Sequence, residues 1–165
     1  MYKAGDMVMY GVFGICKVTA IENRNFSGKE RQYYILRLVN SDKSTFYVPT
    51  DNKTAISKMH QICTKAEVDE LISHMNNEDL IWIDNDIKRK QEYSRIIKDA
   101  DKHEIIRLIK TLYLRRKELA ECGKKLRSSD ENYLSLAENM LFEEFAYALA
   151  IDKSEVVDYI EKHIA

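Results

Sequence analysis

The stretch Gly5-Asp6-Met7-Val8-Met9-Tyr10 decides the fold of the first third of the chain, because a turn leads there directly into a short apolar strand. Further short strands, rich in Val, Ile, Tyr and Leu, are predicted over residues 15–21, 32–39 and 44–48. Pro49 ends the last of them, since proline has no N–H to donate to a strand ladder. Four or five strands in about 50 residues predict a small β-barrel of the Tudor or SH3 kind.

Beyond residue 60 the pattern changes from strands to helices. Helix starts are indicated where a capping side chain is followed three residues later by Glu, at Thr64, Asp101, Ser128 and Asp152. The predicted helices run over residues 64–76, 85–98, 101–121, 129–148 and 153–163. Apolar residues recur on one face of the longer helices, which favours an all-α bundle. The predicted fold class is therefore α+β, with a barrel domain at residues 1–55 and a helical domain at residues 62–165.

Charge is distributed unevenly along the chain. The formal net charge of −1 argues against strong non-specific affinity for nucleic acid. By segment, however, the net charge is +4 for residues 1–60, −5 for 61–84, +7 for 85–127 and −7 for 128–165. The +7 segment could form a local nucleic-acid footprint. The sequence has no run of about 18 apolar residues and no signal-peptide pattern, so we expect a cytoplasmic protein with no membrane partner.

Little in the sequence points to catalysis, and we expect a non-enzymatic protein without a cofactor or metal. There is no phosphate-binding loop and no Cys or His pair with the spacing of metal ligands. The paired carboxylates Asp130-Glu131 and Glu143-Glu144 lie on predicted helix faces, where they are expected to be solvated or to cap helices. A small hydrolase that uses carboxylates is an alternative, and it would need a pocket into which Asp or Glu side chains converge.

Two groups of residues are candidates for binding surfaces. Arg24 and Phe26 follow the second predicted strand, and a barrel's edge strands can pair with a partner's sheet while Arg and aromatic residues anchor the contact. Alternatively, Phe26 packs under its own turn and Arg24 is solvated. Trp82, the only tryptophan, precedes a cluster of cations at Lys88, Arg89, Lys90 and Arg95.

A large flat side chain beside a cationic helix start suits a wedge into nucleic acid whose neighbours hold phosphates. Two other interpretations stay open at this point. Trp82 could be a buried anchor between helices, and the cations could form an ordinary solvated helix face.

Short motifs in a fixed order extend over nearly the whole chain. In the first half they are Tyr2 to Tyr10, Gly14, Val18-x-x-Ile21-Glu22, Gly28, Tyr33 to Leu38 and Val48-Pro49-x-x-Asn52. In the second half they are Asp101, Ile105-Ile106-Arg107-Leu108-Ile109-Lys110-x-Leu112 and Ala137-x-x-Met140-Leu141-x-x-Glu144. This order resembles the CarD/CdnL family of bacterial transcription regulators. The first half is also similar to the RNA-polymerase-interacting module of transcription-repair coupling factors.

The resemblance implies polymerase contacts in the first half and DNA contacts in the second. The family's amino-terminal module binds the RNA polymerase β subunit, which carries over to Arg24, Phe26 and Tyr47; the tyrosine stands where some members have a second contact arginine. The family's helical domain wedges a tryptophan into promoter DNA. Trp82 lies about one helical turn before the matching position, Asp86. The implied DNA contacts are Trp82, Lys88, Arg89, Lys90 and Arg95.

The predicted function is that of a transcription regulator that binds the polymerase β subunit and stabilises the open promoter complex through upstream DNA contacts. Such a protein would be cytoplasmic and associated with the nucleoid through RNA polymerase. The alternative is a protein-only adaptor with Trp82 in its core, which would show no salt-dependent interaction with DNA.

Overall fold

The computed structural model describes residues 1–164. They form two compact units, Met1–Ile62 and the part of the chain from Cys63 onward. The first unit is built on an antiparallel sheet and the second is helical, so the predicted α+β fold class is confirmed.

Five strands form the sheet of the first unit. They are β1 (Met7–Tyr10), β2 (Gly14–Asn25), β3 (Glu30–Leu38), β4 (Thr45–Pro49) and β5 (Met59–Gln61), with a short helix α1 (Lys53–Ile56) before β5. Their order in the sheet is β4-β3-β2-β1-β5, so β4 and β5 are the two edges. Strand β5 is not among the predicted strands, because three residues are too few to show an alternating pattern. Its pairing with β1 extends the first unit beyond the predicted boundary at residue 55.

A β-bulge in β2 determines which side chains lie on the surface of the sheet. Cys16 and Val18 face the core of the first unit, and the pairing register with β3 shifts between Val18 and Ala20. The extra residue, Thr19, reverses the alternation that follows, because side chains along a strand point to opposite faces in turn. Ile21 therefore packs against the core, while Glu22 and Arg24 are exposed. We call the side of β2, β3 and β4 that faces away from this core the outer face.

The second unit consists of five helices. They are α2 (Lys65–His74), α3 (Asp86–Asp99), α4 (Lys102–Glu121), α5 (Ser128–Leu149) and α6 (Val156–His163), with short 3₁₀ turns at Met75–Asn77 and Lys153–Glu155. Thr64, Asp101 and Asp152 accept hydrogen bonds from the first turn that follows each of them, as predicted. The predicted cap at Ser128 is wrong, since α5 begins at Ser128 itself and Arg127 occupies the N-cap without a side-chain hydrogen bond.

Apolar faces of all five helices meet in the core, through residues such as Ile72, Ile96, Leu112, Phe145 and Val156. No helix within residues 1–164 combines the length and the apolar character needed to cross a membrane.

Two carboxylates expected at the surface are buried instead. Glu144 is 4% exposed. Its Oε1 accepts a hydrogen bond from the Cys63 N–H at 2.8 Å and forms an ion pair with the Lys102 ammonium at 3.2 Å. Asp130 is 1% exposed and pairs with Arg89. A buried charge needs a partner, and both carboxylates have one. The Cys63 thiol is half-buried beside Glu144, and burial together with that carboxylate raises the pKa of Cys63 to about 12, which leaves the thiol protonated and unreactive.

Candidate binding surfaces

Three aromatic rings cluster on the outer face of the sheet. The Phe26 ring lies edge-on to those of Tyr33 and Tyr47, with centroids 5.2 and 5.0 Å apart. Tyr33 is buried beneath the others, whereas Phe26 is 58% exposed and Tyr47 is 44% exposed. Phe26 thus packs on the face of the sheet and does not lie under its own turn. Two of the three predicted polymerase contacts, Phe26 just after β2 and Tyr47 on β4, are in direct contact.

The third predicted contact, Arg24, lies along the same face. A shallow open groove of about 400 Å³ crosses the outer face, and both Arg24 and Tyr47 line it, together with Arg37 and Thr45. The Arg24 guanidinium donates to Glu22 Oε2 at 2.6 Å and remains half-exposed. The bulge at Thr19 is what brings Glu22 and Arg24 to this face.

The open edge of β4 adjoins this groove. Leu38 N–H donates to Ser44 O at 3.3 Å, and Thr50 N–H donates to Gln32 O at 3.0 Å. In an antiparallel ladder only alternate residues bond to the neighbouring strand. Thr45 and Tyr47 therefore direct their backbone N–H and C=O groups away from β3. No strand in the described part of the chain pairs with this edge.

In the second unit, Trp82 lies in an irregular segment, residues 78–85, which precedes α3. Helix α4 holds this segment in place through backbone groups. The Lys110 ammonium donates to Glu78 O at 2.6 Å, and the Ile81 N–H donates to Thr111 Oγ1 at 2.9 Å. An irregular segment fixed in this way presents its side chains in a defined position.

The indole of Trp82 is partly buried and held by three side chains. Its Nε1–H donates to Asp84 Oδ1 at 2.9 Å. The guanidinium carbons of Arg89 and Arg115 lie 4.5 and 4.8 Å from the ring centroid, within the range of a cation–π interaction. Trp82 is consequently neither a freely exposed side chain nor a core residue.

Arg89 is buried, and its predicted place among exposed phosphate-binding cations is wrong. The side chain is 2% exposed. Its guanidinium donates to both carboxylate oxygens of Asp130 at 3.0 Å, to Asp86 at 2.7 Å, and to the carbonyls of Ile83 and Asp84. These bonds use all five N–H donors of an arginine. The bonds to Asp130, and after them the bond to Asp86, raise the pKa of Arg89.

The sequence does contain a signal for this burial. Arg89 precedes Tyr93 and Ile96 by four and seven residues, the spacing of one helix face, and both of those residues are buried. The interpretation as part of a continuous Lys-Arg-Lys patch overlooked that periodicity.

The other predicted cations differ in whether carboxylates of the protein already pair with them. Lys88 and Lys90 are exposed and form no ion pair with any residue between 1 and 164. Arg95 is exposed but bonds to three carboxylates, those of Glu92, Asp99 and Glu104, at 2.6, 2.9 and 2.8 Å. These bonds raise the pKa of Arg95 and offset its charge. Lys88 and Lys90 are the better candidates for contact with an anion.

A second group of cations, which the sequence analysis did not single out, lies near Trp82. Arg115 contacts the indole, and its buried Nε has no hydrogen-bond partner in the described structure. Arg127 pairs with Asp86 at the start of α3, which brings the connection between α4 and α5 close to Trp82. Lys124 and Lys125 in that connection are exposed. The +7 charge of residues 85–127 was the signal that could have identified them.

Comparison with known families agrees with both halves of the structure. Residues 2–60 match the family model described as the CarD-like/TRCF RID domain. Residues 70–161 match the model described as CarD, C-terminal domain. With a sheet unit and a helical unit in this order, the matches define a transcription-associated protein that interacts with RNA polymerase. The chain belongs to the CarD family, as its sequence motifs predicted.

Proposed function

We propose that the first unit binds the β subunit of RNA polymerase through β4 and the outer face. The observation that carries this proposal is the convergence of Arg24, Phe26 and Tyr47 on one face beside an unpaired strand edge. A strand of the partner could add to β4 through backbone hydrogen bonds, while exposed aromatic rings and Arg24 supply the side-chain contacts. The match to a polymerase-interacting domain supports polymerase as that partner.

The second unit contacts promoter DNA near Trp82, at the upstream edge of the melted region. Exposed cations lie on the elements next to the indole: Lys88 and Lys90 on α3, and Lys124 and Lys125 after α4. Arg115 on α4 contacts the ring itself and also pairs with Glu118 at 3.3 Å. Such cations can hold backbone phosphates while the indole packs against a partly unstacked base step. Arg89 takes no part in phosphate binding and instead fixes Trp82 from the protein side.

Preferential binding to melted DNA would stabilise the open complex. A protein shifts an equilibrium only by the difference in its affinity for the two states, and the indole contact provides such a difference. The net charge of −1 fits weak binding to duplex DNA by the protein alone. Attachment to polymerase raises the local concentration of the second unit at the promoter and compensates for this weakness. The function is regulatory and non-enzymatic, and it is exercised in the cytoplasm.

Binding of the full chain to core RNA polymerase and to isolated β subunit tests the polymerase half of the proposal. Arg24→Glu should weaken both interactions, whereas Lys58→Glu makes the same change of charge near the opposite edge of the sheet and should leave them unchanged. Equal binding by the two variants, with both still folded, would remove Arg24 from the interface.

A protein-only adaptor is the second candidate function. The contacts of Trp82 with Arg89 and Arg115 favour it, because they already engage the indole within the protein. Crosslinking of the polymerase–promoter–protein complex separates the two functions. The proposal predicts a salt-sensitive crosslink between the second unit and promoter DNA, and the adaptor predicts none.

A further inference from the structure

The outer face carries two cations that no acidic residue balances. Lys17 on β2 and Arg37 on β3 are directly opposite each other in the strand register, and both are exposed. Neither forms an ion pair with any residue in the part of the chain that the structure describes. Like charges directly opposite each other destabilise a sheet. The other cations of the face differ, since Arg24 bonds to Glu22 and Arg31 lies 3.8 Å from Asp51.

The position of Arg37 directs its charge toward the open edge of the sheet. On the side away from Lys17, Arg37 is opposite Thr45 of the edge strand β4. Repulsion between Lys17 and Arg37 favours an Arg37 side chain that extends toward Thr45. Thr45 is small, so the long arginine side chain can lie over it. Arg37 and Thr45 both line the outer-face groove.

The backbone of Thr45 and the guanidinium of Arg37 together offer a partner strand two points of contact. The Thr45 N–H and C=O point outward from β4, where a partner strand would pair with them. A partner residue across from Thr45 would lie two strand spacings from Arg37, roughly 10 Å between backbones. The side chain of arginine and that of Asp or Glu together span this distance. Glu22 also lines the outer-face groove, but its carboxylate is paired with Arg24 at 2.6 Å and forms no ion pair with Arg37.

We infer that Arg37, with Lys17 behind it, accepts an acidic side chain from a partner strand that adds to β4, opposite Thr45. The ligand is an extended protein segment with a carboxylate on the side of the outer face. The inference rests on the proposed function in one respect, since RNA polymerase supplies that strand.

The experiment measures the affinity of the full chain for core RNA polymerase at two salt concentrations. Arg37→Glu should weaken binding by roughly tenfold or more, because it places like charges together at the contact. The salt dependence of binding should also decrease. Lys58→Glu serves as the charge-matched control and should bind within about twofold of wild type, as expected for a charge outside the contact.

Thermal unfolding separates a binding role from a structural one. A glutamate at position 37 would face Lys17 as an opposite charge, so the melting temperature of Arg37→Glu should equal or exceed that of the wild type. Lower affinity together with undiminished stability supports the acceptor. If the wild type binds polymerase and Arg37→Glu binds it equally well, Arg37 does not accept a partner carboxylate. The proposed function would be unaffected by that result.

Two other outcomes overturn the inference as well. If wild type shows no affinity for polymerase, the proposed function fails, and the partner named here fails with it. If Arg37→Glu leaves polymerase binding intact and instead weakens binding of the full chain to duplex DNA, the cations serve phosphates and not a carboxylate.

Discussion

Three consecutive cations at the start of α3 have different surroundings, and their position around the helix explains why. Arg89 faces inward and bonds to Asp130, whereas Lys88 and Lys90 lie on either side of that face and are exposed. Arg89 also contacts the ring of Trp82. The guanidinium of Arg89 therefore contacts both a buried carboxylate, that of Asp130, and a partly exposed ring, that of Trp82.

Arg89→Met should destabilise the protein strongly. The substitution leaves Asp130 as a buried carboxylate without its partner, and breaking a buried pair in this way costs about 3–5 kcal/mol. Lys90→Met, one residue further along the helix, should change the free energy of unfolding by no more than about 0.5 kcal/mol. Urea denaturation of the two variants measures both values. Similar small losses in both would mean that Arg89 is not the buried anchor described here.

Trp82→Ala should lower stability only moderately while it shortens the lifetime of the open complex. The substitution removes two cation–π contacts, worth about 0.5–1 kcal/mol each, together with the partly buried apolar surface of the ring. Truncation of a fully buried tryptophan would cost about 3–5 kcal/mol. Denaturant unfolding and the decay of promoter complexes, measured side by side, distinguish the two cases. A loss in the larger range would make Trp82 a core residue, and a normal promoter lifetime would remove it from the DNA contact.

Strand β4 is one of the two edge strands of the sheet, and it pairs with β3 alone. Thr45→Pro tests whether that edge binds polymerase. The substitution removes an N–H that points away from β3, so the β3–β4 ladder stays intact, and proline is tolerated at the first residue of an edge strand. Polymerase affinity should decrease by about tenfold or more, because the partner strand loses a backbone hydrogen bond and the proline ring obstructs its approach.

Thr45→Ala is the matched control, because it removes the side chain and keeps the backbone N–H. Its affinity should remain close to that of the wild type. Equal effects of the two substitutions would assign the contact to the threonine side chain and would count against strand addition.

Helix α6 is attached to α2 through Asp69, and this contact predicts a dependence on pH. Hydrogen bonds from the Tyr159 hydroxyl at 2.6 Å and the Lys65 ammonium at 2.9 Å lower the pKa of Asp69 below its ordinary value of 3.8. A lowered pKa in the folded state stabilises the protein above pH 3.8, and the stabilisation disappears as the pH falls through the folded-state value.

Asp69→Asn should therefore be less stable than the wild type at pH 7, and the difference should shrink below pH 3.8. Glu161→Gln, which removes an exposed carboxylate from α6, should behave like the wild type throughout. Urea denaturation at a series of pH values provides the comparison. A difference that stays constant down to pH 3 would show that the Asp69 carboxylate is not what the hydrogen bonds stabilise.

Across the whole molecule, elements specified by local patterns were predictable from the sequence, and contacts between distant residues were not. Thr64 and Asp152 marked helix starts correctly because a capping box is a local arrangement of side chain and backbone. The contact of Phe26 with Tyr47 depends on the register of three strands and on the bulge at Thr19. The approach of Arg115 to Trp82 likewise depends on how α4 packs.

The two units together define what the protein does in this account. In the proposed function, the first unit supplies attachment to polymerase. The second would supply a DNA contact that is weak by itself, since the chain carries a net charge of −1. Their covalent linkage makes the second contact effectively intramolecular once the first has formed. Stabilisation of the open complex should accordingly require both units in one chain.

The most direct test of this claim is the lifetime of competitor-resistant open complexes at one promoter. The measurement compares the full chain with an equimolar mixture of its two separate units, residues 1–62 and 63–165. We expect the full chain to lengthen the lifetime and the unlinked mixture to leave it at the value for polymerase alone. No lengthening by the full chain, or equal lengthening by the mixture, would contradict the account.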